Sequence, residues 1–450
     1  MWVLAGLAAL VLLFRRKIGK GPGMATRITV GAVLLAAFSV STAQTVVIAA
    51  LPAFAREFGV SGTTAAWALT AFMLAAAVAT PIAGRLGDLF GYRRIALVCL
   101  GFFVVGLVLC ALAGSFPLLL AGRALSGLAA GVFPLAFGLV RRAASRERLP
   151  GLIALLSAMF GIGGAAGMLV AGPLLDSFGA DWLFWPLLVL GVVALVLMML
   201  IPADESAVGG QVDLAGAALL GCALVALLLG ISQAKAWPAG ATMGIFVVAA
   251  AFFAGFAAVE LRVRGPLVDL RVLGRRAMAV TNLATVVVGA AMFGVVTLIP
   301  HLVAQDRIAV ALVPMVVTML AATPLAPRLG GRLSVRVGAA LGIFSCVALV
   351  FAHDELWQIC VAGLLLGAGY GLSFAAFGTL VVDAVEPDQT GVATGVNTIA
   401  RTAGGAIGAQ LAAVLVVGGS YGPAFTVFAL TALVALAVTA ALPRHVPVAV

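Results

Sequence analysis

Charge is what this 450-residue chain lacks most: only 9% of its residues are Asp, Glu, Lys or Arg, and the acidic ones number sixteen. A soluble domain carries about 25% charged residues, so water is not this protein's main solvent. Histidine and tyrosine are scarce, at three residues each, and the five cysteines (Cys99, Cys110, Cys222, Cys346, Cys360) stand singly inside apolar runs. That spacing excludes a zinc site and a disulfide framework and leaves the thiols as small apolar residues. Chemistry at membrane depth needs paired carboxylates, clustered histidines or an activated nucleophile. None is present, so the sequence excludes an enzyme and calls for no metal and no cofactor. The net charge of +10 does not signal nucleic acid either. The bases sit in short clusters between apolar runs, and no basic face is long enough to follow a duplex.

What is abundant is hydrocarbon. The chain is 64% hydrophobic with a mean hydropathy of +1.24. About 20 apolar residues cross a bilayer as helix. That rule predicts fourteen spans, near 29–50, 63–83, 95–114, 117–140, 151–174, 182–201, 213–232, 240–261, 277–303, 308–327, 338–353, 356–382, 390–417 and 421–443. The eleventh is short, and Pro314, Pro324 and Pro327 interrupt the tenth. With the first helix starting in the cytoplasm, nearly all loop bases fall on one side, from Arg15 and Arg16 through Arg93, Arg94, Arg141 and Arg142 to Arg328 and Arg444. Only Arg56, Lys235 and Arg307 fall on the other. Basic loops stay inside, so a multi-pass plasma-membrane protein with both termini cytoplasmic is expected. Arg123 and Arg401 fall inside spans. Residues 1–26 read as an extension, from an over-extended start ahead of Met24 or as a short interfacial helix; no cleavage site marks a signal peptide.

One polar string stands out: Gly84-Arg-Leu-Gly-Asp88-Leu-Phe-Gly91-Tyr-Arg93-Arg94. It is expected as a short loop at the membrane surface. The chain also repeats itself. Gly131-Val-Phe-Pro-Leu-Ala-Phe137-Gly138 matches Gly371-Leu-Ser-Phe-Ala-Ala-Phe377-Gly378, and Gly331-Arg-Leu-Ser-Val-Arg336-Val-Gly338 echoes the polar string with Val335 in place of Asp88. The expected architecture is all-α and polytopic: a six-helix half at 27–201, a two-helix insert and linker at 202–276, and a second six-helix half at 277–450. Parallel six-helix repeats build transporters whose site lies at mid-membrane between the halves.

These residues resemble the major facilitator superfamily, and within it the fourteen-helix drug:proton antiporter branch. The likeness runs from about Arg27 to Arg444. The polar string is similar to that family's motif between helices two and three, keeping Gly84, Leu86, Asp88, Gly91, Arg93 and Arg94, with Leu89 and Tyr92 in place of basic residues. Helix four resembles the family's arginine motif through Arg123, Gly127 and Gly131. Helix five resembles its antiporter motif through Gly163, Gly164, Gly167, Gly172 and Pro173, with Asp176-Ser177 in place of the trailing glycine pair. Gly391 to Asn397, Arg401 and Gly404-Gly405 also look typical. Helix one departs: Ala43-Gln44-Thr45-Val-Val-Ile48-Ala-Ala-Leu51-Pro52 lacks the branch's aspartate and asparagine. The resemblance implies proton coupling, a monomer, and a latch in which Asp88 faces the N-terminus of the helix beginning near Thr390. Such a terminus carries about half a positive charge. The competing role for this string is plain anchoring at lipid headgroups.

Intramembrane arginine is costly and usually meets a cavity or partner. Arg123 and Arg401 are therefore candidates for substrate binding or coupling, against snorkelling to the outer face for Arg123 and packing for Arg401. His301 is the third candidate coupling group, since imidazole titrates near neutrality, against an idle interfacial position. Gln44, Thr45, Trp67, Asn282, Tyr370 and Asn397 can turn inward as substrate contacts or serve as helix–helix glue. The glycines of helix five permit close packing. No carboxylate lies near the middle of a span. A deep carboxylate is the usual proton carrier and counter-ion for cationic drugs. The expected function is export of a small neutral or anionic amphiphile (a drug, antibiotic or secondary metabolite) by rocking of the halves. The alternative is a uniporter or uptake permease for a small neutral solute.

Overall fold

The computed structural model describes residues 22–202, 213–233, 237–263, 266–268, 270–303, 307–416 and 420–441. The expected extension up to Gly21, with Lys235, Arg264 and Arg444, lies outside the described residues. The described chain is helical, in the order α1 (Pro22–Glu57), α2 (Trp67–Phe90), α3 (Tyr92–Ala111), α4 (Phe116–Ala143, with a 3₁₀ turn at Leu128–Gly131), α5 (Leu149–Phe178) and α6 (Phe184–Leu200). Next come α7 (Leu214–Gln233), α8 (Ala239–Glu260), α9 (Arg276–Leu302) and α10 (Ile308–Ala322, continued by Thr323–Leu325 and Ala326–Leu329). The last four are α11 (Gly331–Phe351), α12 (Leu356–Asp383), α13 (Thr390–Leu415) and α14 (Gly422–Ala440). Twelve of the described helices are long and apolar enough to cross a membrane, α7 and α8 among them. The 17-residue α6 and the more polar α13 fall outside those twelve.

Helices form wherever the sequence lacks water-facing alternatives, because a backbone in lipid must satisfy its own hydrogen bonds. The ends differ from expectation for the same reason. The polar string is no loop: α2 continues through Asp88 to Phe90, one residue breaks the chain, and α3 starts at Tyr92. Gly91 has φ of 95°, open to glycine at little cost. The eleventh helix, expected to be short, runs 21 residues from Gly331. Its break is Gly330, with φ of 80°. Gly330 is therefore the counterpart of Gly91, in nearly the register that pairs Gly131 with Gly371. The Gly331–Gly338 echo is a misalignment: its residues lie inside α11, and the position matching Asp88 is Pro327.

Two separate apolar cores result. One is built from α1 to α6 around Phe54, Phe72, Phe103, Leu107 and Phe184. The other is built from α9 to α14 around Val295, Leu366, Phe377, Phe425 and Phe428. A third, smaller cluster joins Leu220, Leu224 and Leu228 of α7 to Ala77 of α2 and Val392 of α13. The α7–α8 hairpin thus lies over the seam where the two halves meet, while α8 turns Met243 and Val247 outward.

Candidate functional site

At the end of the molecule that carries Arg93 and Arg141, the halves are locked together. The Asp88 carboxylate is 2% exposed. Oδ1 accepts from the Gly391 amide at 3.0 Å and Oδ2 from the Val392 amide at 3.0 Å. These are first-turn N–H groups of α13, which have no partner within their own helix, and the helix dipole favours an anion there. The approach requires glycine on both sides. A Cβ at Gly84 would strike the Gly391 carbonyl, and one at Gly391 would meet Asp88 Oδ1 at 2.7 Å. The Tyr92 hydroxyl donates to Asp88 Oδ1 and lies 3.2 Å from the Pro387 carbonyl. Arg141 adds three donations across the seam, to Thr390 Oγ1 at 2.6 Å, Val385 O at 3.0 Å and Glu386 O at 3.2 Å. Neither Tyr92 nor Arg141 was legible as part of this contact. Arg141's partners and Tyr92's Pro387 contact come from the other half of the chain, and only clustering with Arg142 hinted at Arg141. Arg93 and Arg94 stand apart from the lock: Arg93 donates to the carbonyls of Met198 and Met199 at the end of α6, and Arg94 is exposed.

Deeper, a narrow cleft lies between the halves. Gln44, Thr80, Thr398 and Thr402 supply its polar groups, and Met73, Phe133, Phe160, Leu224, Leu227 and Leu228 its apolar wall. Among the described residues, no charged side chain lines it. Of the sequence-proposed contacts, only Gln44 is on this wall. Thr45 donates to the Gly164 carbonyl at 2.7 Å and ties α1 to α5. Asn397 donates to Asn282 Oδ1 at 3.0 Å and to Thr285 Oγ1 at 2.9 Å, joining α13 to α9. Trp67 packs half-buried on the first core at the start of α2. Tyr370 is buried in an aromatic cluster, 4.5 Å from Phe374 and 5.4 Å from Phe293 between ring centroids. Uniformly apolar runs gave no signal for Phe133, Phe160 or the leucines of α7.

The two intramembrane arginines differ sharply. Arg123 is fully buried. Its Nε donates to Ala68 O and its Nη1 to Ala43 O, both at 2.9 Å, and the guanidinium lies 4.5 Å from the Phe72 ring centroid. It neither snorkels nor lines the cleft; it pins α4 to α1 and α2. Arg401 is 6% exposed, with its guanidinium carbon 3.2 Å from the Phe160 centroid across the seam and 5.3 Å from that of Phe374. It makes no hydrogen bond among the described residues. His301 is exposed at the end of α9, and its carbonyl accepts from Tyr421; it is remote from both lock and cleft. In helix five, a Cβ at Gly163 would meet Phe38 O and Ser41 Cβ at 2.7 Å, and one at Gly167 would collide with Thr45. Gly172 has open space around it and Pro173 is exposed, so neither packs a helix interface.

Two helical halves meeting at a locked seam, with a cleft between them, define a multi-pass membrane transporter. The Major Facilitator Superfamily profile matches residues 33–307 and 283–449, and the chain belongs to that superfamily. It is 30% identical over 409 residues to a multidrug resistance protein B homolog of Mycobacterium tuberculosis, covering 86% of this chain and 75% of that protein. It is 27% identical to the tetracenomycin C resistance and export protein of Streptomyces glaucescens, covering 86% of this chain and 75% of that one. Its fold matches a human organic anion transporter with a TM-score of 0.69 at 16% identity, covering 92% and 99% of the two chains.

Proposed function

We propose that the chain is a proton-coupled exporter of a neutral or anionic amphiphile, working by alternating access in the plasma membrane. In this reading fourteen helices span the bilayer: six in each half, with α7 and α8 as an inserted pair. The arginine-rich end faces the cytoplasm, and the described state is closed there. The observation that carries the reading is a cleft with no carboxylate among its described lining residues, sealed at one end by a carboxylate on the other half's helix terminus. That contact must break for the cleft to open toward the cytoplasm, as rigid-body rocking of two repeats requires. The relatives named for multidrug resistance and tetracenomycin C export, with a lincomycin resistance protein of Streptomyces lincolnensis at 28% identity, support an antibiotic-like cargo. The cleft wall, apolar with a few hydroxyls and one amide, suits such a ligand. The test is extrusion by the reconstituted protein with an imposed proton gradient. Loss of extrusion on collapsing the gradient supports coupling, and undiminished extrusion refutes it. A cleft without carboxylates also favours a second reading, a uniporter for a small neutral solute; counterflow without any gradient would establish that one.

A further inference from the structure

Arg401 is a buried guanidinium at the seam whose described surroundings leave it incomplete. Its side chain is 94% buried, being 6% exposed, yet none of its donors meets an acceptor among the described residues, and its Nε is fully enclosed without a partner. Arg123, also buried, differs in degree: two backbone carbonyls at 2.9 Å accept from its Nε and Nη1, and only its Nη2 lacks a partner among the described residues. Ring faces alone hold Arg401, Phe160 from the first half and Phe374 from its own. Aromatic faces attract a cation only modestly, about 0.5–2 kcal/mol, and a buried charge without a counter-charge is strongly unfavourable. An anion is the partner that would complete it.

The neighbourhood says where the anion comes from. Thr398 and Thr402 flank Arg401 on α13, and both line the cleft, as does the Phe160 ring on which the guanidinium rests. Arg401 is not itself in the cleft lining but lies directly behind it, next to Thr402 in sequence and stacked on the Phe160 ring. The far wall is Leu224, Leu227 and Leu228, on a single face of α7. We propose that the cleft binds an amphiphilic monoanion, its acid group paired with Arg401 and its apolar body laid along that leucine face. The α7–α8 hairpin then contributes directly to substrate selection: it closes the seam and supplies the surface that reads the ligand's apolar part. A carboxylate on a guanidinium makes short, charge-assisted and often bidentate hydrogen bonds, which neither an ester nor an amine reproduces. This inference rests on the transporter reading and gives its site a substrate class.

Three probes with one apolar body decide it: pyrenebutyric acid, its methyl ester and pyrenebutylamine. Binding to the purified full-length protein in lipid nanodiscs is read by fluorescence anisotropy at neutral pH, with no ion gradient. The acid binds at least about tenfold more tightly than the ester, the scale of one hydrogen bond to a charged group, and the amine binds most weakly. Arg401→Gln abolishes the acid's advantage, and Arg401→Lys retains part of it. Leu228→Ala weakens acid and ester alike, since both lose the same apolar contact. Equal binding of acid and ester to the unmodified protein overturns the proposal, and that comparison needs no variant to fold. An undiminished acid preference in a folded Arg401→Gln overturns it too, as does weakening by Leu228→Ala confined to the acid. Because no gradient enters the assay, a protein that binds the acid but fails to export it refutes the export reading alone.

Discussion

Replacing Asp88 by Asn perturbs the lock at one atom while keeping its shape. The carboxylate now accepts from both Gly391 and Val392 at 3.0 Å. An amide has one carbonyl oxygen, so one of those N–H groups would face an NH₂ and lose its partner. A hydrogen bond to a charged group contributes roughly 1.5–3 kcal/mol, and the charge at a helix N-terminus adds roughly 0.3–1 kcal/mol. The closed state should therefore lose about 3 kcal/mol, which shifts its population against the open state by about a hundredfold. Ser157 reports the shift. It is 3% exposed and sits at the seam against Gly378, near Phe137. In a background lacking the five native cysteines, none of which is in a disulfide among the described residues, Ser157→Cys should be alkylated slowly by a charged maleimide. Adding Asp88→Asn should accelerate that reaction by one to two orders of magnitude, while Arg94→Gln, whose side chain is exposed beside the lock, should not. Equal rates with and without Asp88→Asn would refute the lock.

Tyr92→Phe removes one donor to the same carboxylate and should accelerate that alkylation less, in line with about 1 kcal/mol for an ordinary hydrogen bond. Gly163→Ala should lower the thermal midpoint of the purified protein, because the new methyl meets Phe38 O and Ser41 Cβ at 2.7 Å. Gly172→Ala, with open space around it, should leave the midpoint unchanged or raise it through better helix propensity; the reverse order would contradict the packing described. Arg123→Met removes two buried hydrogen bonds, to Ala43 O and Ala68 O, that tie α4 to α1 and α2. It should lower thermal stability by an amount on the order of 3 kcal/mol, with lost transport following lost fold. A stable but inactive variant would instead assign Arg123 a direct role in transport.

Spans were legible because lipid imposes a length and an apolar composition that few other structures share. Their ends were not. Polar side chains at a headgroup surface leave the backbone free to stay helical, so the string around Asp88 and the start of α11 read as loops while the chain turns only at Gly91 and Gly330. The false echo at Gly331 arose because Gly-Arg-Leu recurs where no turn does. The carboxylate at Asp88 stood out in a chain poor in acid, yet Tyr92 and Arg141 did not, since both act on residues some 250–300 positions away (Thr390 and Pro387). Arg123 and Arg401 looked alike in sequence, each a lone cation in an apolar run. Only the neighbours distinguish them: carbonyls of α1 and α2 around one, and bare rings from both halves around the other. The leucines of α7 were invisible as a binding wall, because in a helix apolar all round no face announces itself.

Alternating access itself is tested by pulsed-dipolar distances between spin labels on the two halves. One pair sits at Glu147 and Asp388, exposed at the arginine-rich end, and the other at Ser115 and Asp354, exposed at the opposite end. In the reconstituted protein, Asp88→Asn should lengthen the first distance and shorten the second together. Two distances that stay fixed, or that lengthen in unison, would contradict a molecule that rocks about its central cleft.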